Sequence, residues 1–158
     1  MKKSVPPDGM IPENPIQSSK SMSIFGSIRN LMSSQPEAET LWSVPENEGD
    51  IDDILKNSEK PQIIYKHSYR CSISLFSKSS LDSGAEDLRL QADIYMIDVV
   101  SRRSLSAYVA EKTGVIHQSP QVLLLHKGQP FWQASHGDVR IENLKEALRE
   151  LTGSSNLA

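Results

Sequence analysis

"PQIIYKHSYRCSISLFSKSSL", residues 61–81, is the stretch on which the fold turns. "PQIIY" reads as a buried strand, and Cys71 to about Leu81 reads as a helix. Cys71, the only cysteine of the chain, falls at the junction. Its neighbours are polar and basic: Lys66, His67 and Arg70 upstream, with the hydroxyls of Ser68, Ser72 and Ser74 around it. An inert thiol more usually sits in an apolar core, so this placement raises a chemical question as well as a structural one.

The neighbouring segments extend the pattern in both directions. "ADIYMIDVV", residues 92–100, is a nearly continuous apolar run, as expected of a strand covered on both faces. "SRRSLSAYVAEKTG", 101–114, reads as a helix with Ser101 as its cap, Leu105 and Val109 facing inward and Gly114 at its end. "PQVLLLHKGQPFWQAS", 120–135, reads as a hairpin turning at Lys127 and Gly128, and Pro130 marks an edge strand. The last helix is expected over Val139 to Leu151, with Asp138 as N-cap and Gly153 just past its end. Upstream, "LWSV" (41–44) suggests a short strand, and "GDIDDILKNS" (49–58) a helix with acidic residues in its first turn, where the helix dipole favours them.

The resulting order, βαβαβαββα, predicts an α/β domain over residues 41–151. Its mixed central sheet would have about five strands, parallel through the alternating units, with an antiparallel edge from the hairpin and helices on both faces. Residues 1–40 carry Pro6, Pro7, Pro12, Pro15 and Pro36 and little periodic apolar content, so a flexible N-terminal extension is expected. Within it, Ile24, Phe25, Ile28, Leu31 and Met32 form a short amphipathic segment at 22–32, and Met22 is an alternative start. Residues 152–158 read as a C-terminal tail.

Composition narrows the function. With 17 Lys plus Arg against 20 Asp plus Glu, the net charge of −3 gives no general pull toward nucleic acid or an anionic membrane. No apolar run approaches the ~18 residues that span a bilayer. Charged and proline residues interrupt "MKKSVPPDGMIPENP" where a signal peptide needs an apolar stretch, so a cytoplasmic protein without stable membrane association is expected. One cysteine forms no internal disulfide and excludes a cysteine-rich zinc site within the chain.

The thiol suggests the chemistry. At a helix N-terminus, unpaired backbone N–H groups and the positive dipole end stabilise a thiolate. Such sites and basic neighbours bring a cysteine pKa from about 8.5 to roughly 3.5–7.5. A thiolate is the attacking species of thiol–disulfide exchange. The "HQSPQVLLL" stretch adds a second element. Pro120 precedes a strand, where a cis Ser119–Pro120 bond is expected, and the backbone of Ser119 would lie beside Cys71 to meet an extended thiol compound or peptide.

"KHSYRCSIS" together with "HQSPQVLLLHKGQPFWQASHG" resembles the YtxJ-type monothiol bacilliredoxins, proteins of thioredoxin-like fold. The similarity runs from about Leu41 to Leu151. The family commonly carries Thr-Cys-Pro-Ile-Ser; here Arg70 stands for Thr and Ser72 for Pro, while Cys71, Ile73 and Ser74 match. The resemblance implies an oxidoreductase that removes bacillithiol, a low-molecular-weight cysteine–glucosamine–malate thiol, from S-bacillithiolated client proteins. Cys71 would be the nucleophile, bacillithiol a thiol cosubstrate rather than a bound cofactor, and a second bacillithiol or a disulfide reductase the regenerating partner. Ser74 occupies the resolving-cysteine position of Cys-x-x-Cys enzymes, so exchange would be monothiol.

The remaining candidates are weaker. "SHGD", with Gly137 and Asp138, lies where related folds hold a ligand carboxylate at a helix N-terminus, although Asp138 also fits a plain N-cap. His67, His117, His126 and His136 are scattered, and no metal site is expected. Trp132 and Tyr95 read as packing residues, and Arg102 and Arg103 as a solvated helix start. Two alternatives stay open: a non-catalytic thioredoxin-like adaptor or thiol sensor, and a monothiol glutaredoxin-like protein using another thiol.

Overall fold

β1 (Gln62–His67) is buried at all six positions and hydrogen-bonded on both sides. In this computed structural model the described residues are 41–56 and 59–155. The N-terminal extension, its 22–32 segment and the end of the tail therefore lie outside them. β1 is flanked by β2 (Asp93–Asp98) and β3 (Gln121–His126), and β4 (Gln129–Ser135) forms the edge beyond β3, giving the order β2-β1-β3-β4. The expected first strand is reduced to one parallel bridge, in which Ser43 exchanges two hydrogen bonds with Ile94 and Met96.

Parallel pairing is confined to β1–β2 and that bridge; β3 runs antiparallel to β1, contrary to the expectation of parallel strands through the alternating units. The reason lies in the connection after helix α4 (Arg103–Thr113). Gly114, at φ 71°, ends the helix in the left-handed conformation. Residues 115–120 have a reach of about 20 Å, enough to carry the chain back along the sheet. β3 then starts with Gln121 paired to Lys66, at the Cys71 end of β1. The hairpin turns at Lys127 and Gly128, both at positive φ, as a tight primed turn requires. A Cβ on Gly128 would run into the Leu55 carbonyl oxygen, so only glycine fits.

Alternation along the strands divides the core in two. Ile63, Tyr65, Val122 and Leu124 face α2 (Ser72–Asp82), α3 (Ala85–Gln91) and α5 (Ile141–Ser155). Ile64, Ile97, Leu123 and Leu125 face α1 (Glu48–Lys56) and α4. α1 begins with a reciprocal cap: Asn47 Oδ1 accepts the Asp50 N–H, and the Asp50 carboxylate accepts the N–H groups of Glu46 and Asn47. α3 has no counterpart in the sequence reading. It is one short helix held by the fully buried Ala85 and Leu88, and Gly84 before it packs against Ile141 too closely for a side chain.

Three local expectations are corrected. Ser101 does not cap α4; its hydroxyl donates to Asp98, which also takes the Val100 N–H. Asp138 belongs to a 3-10 turn, His136–Asp138, and α5 starts later, at Ile141, whose N–H is accepted by the Ser80 hydroxyl. α5 also runs through Gly153 to Ser155. No helix among the described residues is long and apolar enough to cross a membrane.

Lys66 is fully buried, and its Nζ has no hydrogen-bond partner among the described residues. Desolvation pulls its pKa down to about 8. The unfolded chain therefore holds this proton more tightly, and burial costs stability at neutral pH. With the ordinary 10.5 brought down to about 8, that cost is about 3 kcal/mol below pH 8. It shrinks as pH rises through the window and is gone above about 10.5. Lys66→Met is predicted to raise urea-unfolding stability at pH 7 by roughly 2–3 kcal/mol, with the gain fading toward pH 10.5. An unchanged or lowered stability at pH 7 would contradict the burial penalty.

Candidate functional site

Strand β1 ends at His67, and four residues later Cys71 is the N-cap of α2, in extended conformation at φ −113° and ψ 120°. Its N–H donates to the Ser68 carbonyl at 3.1 Å, and its own carbonyl accepts the Leu75 N–H at 3.1 Å. Ser72, where the family pattern has proline, is the first residue of the helix and is exposed. Proline is favoured at that position because the missing N–H costs nothing there. Cys71 is free and partly exposed. The Ser74 backbone N–H, followed by the Ile73 N–H and the Ser74 hydroxyl, holds the thiol below its ordinary value against an opposing desolvation effect.

The sequence named the right donors at the helix start but assigned the basic neighbours too much. No charged side chain contributes to the shift at Cys71. Lys66 alternates away from Tyr65 onto the α4 face of the sheet, where its charge acts on His117. Arg70 is exposed. Burial, with the Lys78 ammonium adding to it, holds His67 below its ordinary value, so the ring is neutral at pH 7.

α2 carries its polarity inverted. Ser74 and Ser77 are buried with Leu81, while Ile73, Leu75 and Phe76 are exposed, Phe76 by 78%. Two hydroxyls of this stripe have local work: Ser77 donates to the His136 carbonyl at 3.4 Å and Ser80 accepts the first N–H of α5, while the Ser74 Oγ is buried without a hydrogen-bond partner among the described residues and adds the smallest effect on the thiol. Beneath this turn, the fully buried Tyr65 hydroxyl lies 2.9 Å from the Ser74 carbonyl and 3.1 Å from His67 Nδ1. Tyr65, Ser77 and Ser80 were not singled out from the sequence. The signal available was a serine stripe at 74, 77 and 80 where an ordinary helix would place apolar residues.

Ser119–Pro120 is cis and stands at the Cys71 end of the sheet, one residue before the Gln121–Lys66 pair. The Pro120 carbonyl accepts the His136 N–H at 2.9 Å, tying this loop to the "SHGD" turn. Gly137 and Asp138 open onto different grooves. Gly137 shares one of about 450 Å³ with Ile73, Phe76, Ser77 and Arg140. Asp138 lines one of about 350 Å³ with Trp132 and Glu146, and another of about 630 Å³ with Ile116 and Gln118. Arg140, another residue passed over in the sequence, is tied to the Gly137 turn, donating through Nε to the Gly137 carbonyl at 2.9 Å. The α5 N-terminus is already met by Ser80, which leaves it a poorer anion site than expected. Trp132 and Tyr95 pack against the two cores as expected. Among the described residues no group of His, Cys, Asp and Glu could hold a metal ion.

This arrangement of strand, N-terminal helix thiol and cis-proline loop agrees with the comparisons to known proteins. A family model described as monothiol bacilliredoxin BrxC matches residues 45–144. The chain belongs to the monothiol bacilliredoxin family. Among solved structures it is similar to a candidate oxidoreductase with a thioredoxin fold, at 29% identity and a TM-score of 0.59, over 68% of this chain and 93% of that one. Thioredoxin from Trypanosoma brucei brucei matches at 11% identity and TM-score 0.58, covering 71% of this chain and 91% of its own. Thioredoxin from Malassezia sympodialis matches at 14% and 0.56, covering 69% and 89%. The fold is therefore thioredoxin-like, and the bacilliredoxin family supports a thiol redox role.

Because backbone N–H groups lead the stabilisation of the Cys71 thiolate, Ser74→Ala is predicted to weaken it only in part. The midpoint of Cys71 alkylation by iodoacetamide against pH should lie below that of an ordinary cysteine in the wild type. In the variant it should rise while remaining below that value. A midpoint fully restored to the ordinary value would show that the hydroxyl, not the backbone, dominates.

Proposed function

We propose that this bacilliredoxin removes bacillithiol from S-bacillithiolated proteins by monothiol exchange at Cys71. The Cys71 thiolate attacks the bacillithiol sulfur of the mixed disulfide. One S–S bond forms between Cys71 and bacillithiol as the client–bacillithiol S–S bond breaks, and the client leaves as a thiolate. No net oxidation occurs in this step. A second bacillithiol then attacks the Cys71 adduct, releasing bacillithiol disulfide and restoring the thiolate; a disulfide reductase is an alternative route of regeneration.

The observation that carries this reading is a free, partly exposed thiol at the N-cap of α2 in a chain with no second cysteine, with the first-turn N–H groups lowering its pKa. Ser74 fills the position from which a resolving thiol would attack, so the adduct has no intramolecular exit. The cis Ser119–Pro120 loop and the Gly137 groove lie at the same end of the domain and supply a lining for the thiol ligand. In that groove Arg140, rather than Asp138 or the α5 N-terminus, is the group suited to a malate carboxylate.

Release of client thiol from a purified S-bacillithiolated protein tests the reading. The wild type should release it rapidly in the presence of excess bacillithiol, and Cys71→Ser should leave only the uncatalysed rate. Equal rates with the two proteins would overturn catalysis at Cys71 and favour an adaptor. Equal rates on glutathionylated and bacillithiolated clients would move the substrate class to low-molecular-weight thiols generally.

A further inference from the structure

We propose that Tyr65 is a positioning residue for the Cys71 thiolate, acting through the Ser74 carbonyl, and that His67 fixes the Tyr65 hydroxyl for this task. The inference rests on Cys71 being the nucleophile. It starts from the donor inventory of one buried oxygen. A tyrosine hydroxyl has one proton to donate and lone pairs to accept with. The Ser74 carbonyl, 2.9 Å away, can only accept, so the phenolic proton goes there. The 3.1 Å contact to His67 Nδ1 then requires the ring to donate, which places the imidazole proton on Nδ1. Nε2 is left as a bare lone pair, in accord with its having no partner among the described residues. Burial favours this neutral arrangement at both groups, pushing the phenol up and the imidazole down.

Ser74 is the third residue of the helix that Cys71 caps, and its N–H leads the groups that hold the thiol down. Its carbonyl sits one Cα away from that N–H, so anchoring the carbonyl restrains the direction of the donor. The anchor itself is rigid. Tyr65 is paired on both flanks, opposite Met96 and Val122, and its ring packs against those of Trp42 at 5.7 Å and His67 at 5.6 Å between centroids. His67 is held in turn by an edge contact with Tyr69 at 4.2 Å. The titratable groups acting on this pair are Lys78 and Asp82 from α2, Asp98 from the end of β2, and Cys71 and Tyr69 from the turn between β1 and α2. None of the charged carboxylates or ammoniums acts on Cys71, while the thiol itself pushes the Tyr65 phenol up, so the two groups are near enough to feel each other directly as well as through the Ser74 peptide.

The pH profile of Cys71 alkylation in the full chain separates this role from simple packing. Tyr65→Phe keeps the ring and removes the hydroxyl. It should move the midpoint upward and slow alkylation at pH 7 roughly threefold. Lys66→Met, at the next position of the same strand but on the opposite face, should change stability and leave the profile in place. His67→Leu should shift the profile in the same direction as Tyr65→Phe by a smaller amount, and His67→Asn, which retains a donor near Nδ1, should restore it. These variants decide the matter if Tyr65→Phe does not fold. A wild-type midpoint at the ordinary cysteine value would overturn the nucleophile reading and this inference with it. A depressed wild-type midpoint left unmoved by Tyr65→Phe, or by His67→Leu, would overturn the inference alone.

Discussion

The hydrogen-bonded ladders on both flanks of β1 fix where that strand ends, and the rest of the site hangs from that point. Gln62 to His67 pair with β2 on one side, and Gln62 to Lys66 pair with β3 on the other, with every residue of the strand buried. The chain leaves the sheet at Ser68 and begins a helix at Ser72, so Cys71 is held where four helical N–H groups have no intrahelical partner. A cavity or slip in β1 would displace the thiol from those donors. The same pairing brings β3, and with it the cis Ser119–Pro120 loop, to the Cys71 end.

α2 carries the cost of this arrangement. Burying Ser74 and Ser77 while exposing Ile73, Leu75 and Phe76 reverses the usual partition of a surface helix, in which apolar side chains face the core. Full burial of such a side chain is worth roughly 1.5–3 kcal/mol, of which the half-exposed Ile73 and Leu75 forgo about half and Phe76 most. The His136 turn uses the Ser77 hydroxyl, the start of α5 uses that of Ser80, and at Ser74 it is the backbone N–H that leads in holding the thiol down. The exposed Ile73 and Phe76 line the groove that also holds Gly137 and Arg140, beside the turn tied to the cis-proline loop.

Much of the fold could be read directly because the periodicities were unambiguous. "ADIYMIDVV" and "QVLLL" became β2 and β3, and Lys127–Gly128 turned the hairpin with Pro130 on its edge strand. The direction of β3 was not legible, because a six-residue extended connection after Gly114 has no sequence mark that distinguishes it from a tight parallel crossover. α3 escaped because a seven-residue helix rests on the packing of Ala85 and Leu88 and not on its own propensity. At the site, Cys71 and the cis Ser119–Pro120 bond were accessible from local chemistry. Lys66 was misplaced as a neighbour of the thiol, since proximity in sequence hides the alternation that sends it to the other face. Tyr65 was invisible as anything but core, because its role depends on a contact with Ser74 that only the folded strand–helix junction creates.

The central claim is that Cys71 takes the bacillithiol moiety and lets the client go. Intact-mass analysis of a single turnover, with stoichiometric S-bacillithiolated client and no free bacillithiol, tests it most directly. The account predicts a Cys71–bacillithiol adduct on this chain in amounts equal to the reduced client formed. A covalent Cys71–client species as the main product, or reduced client without any adduct on Cys71, would contradict it.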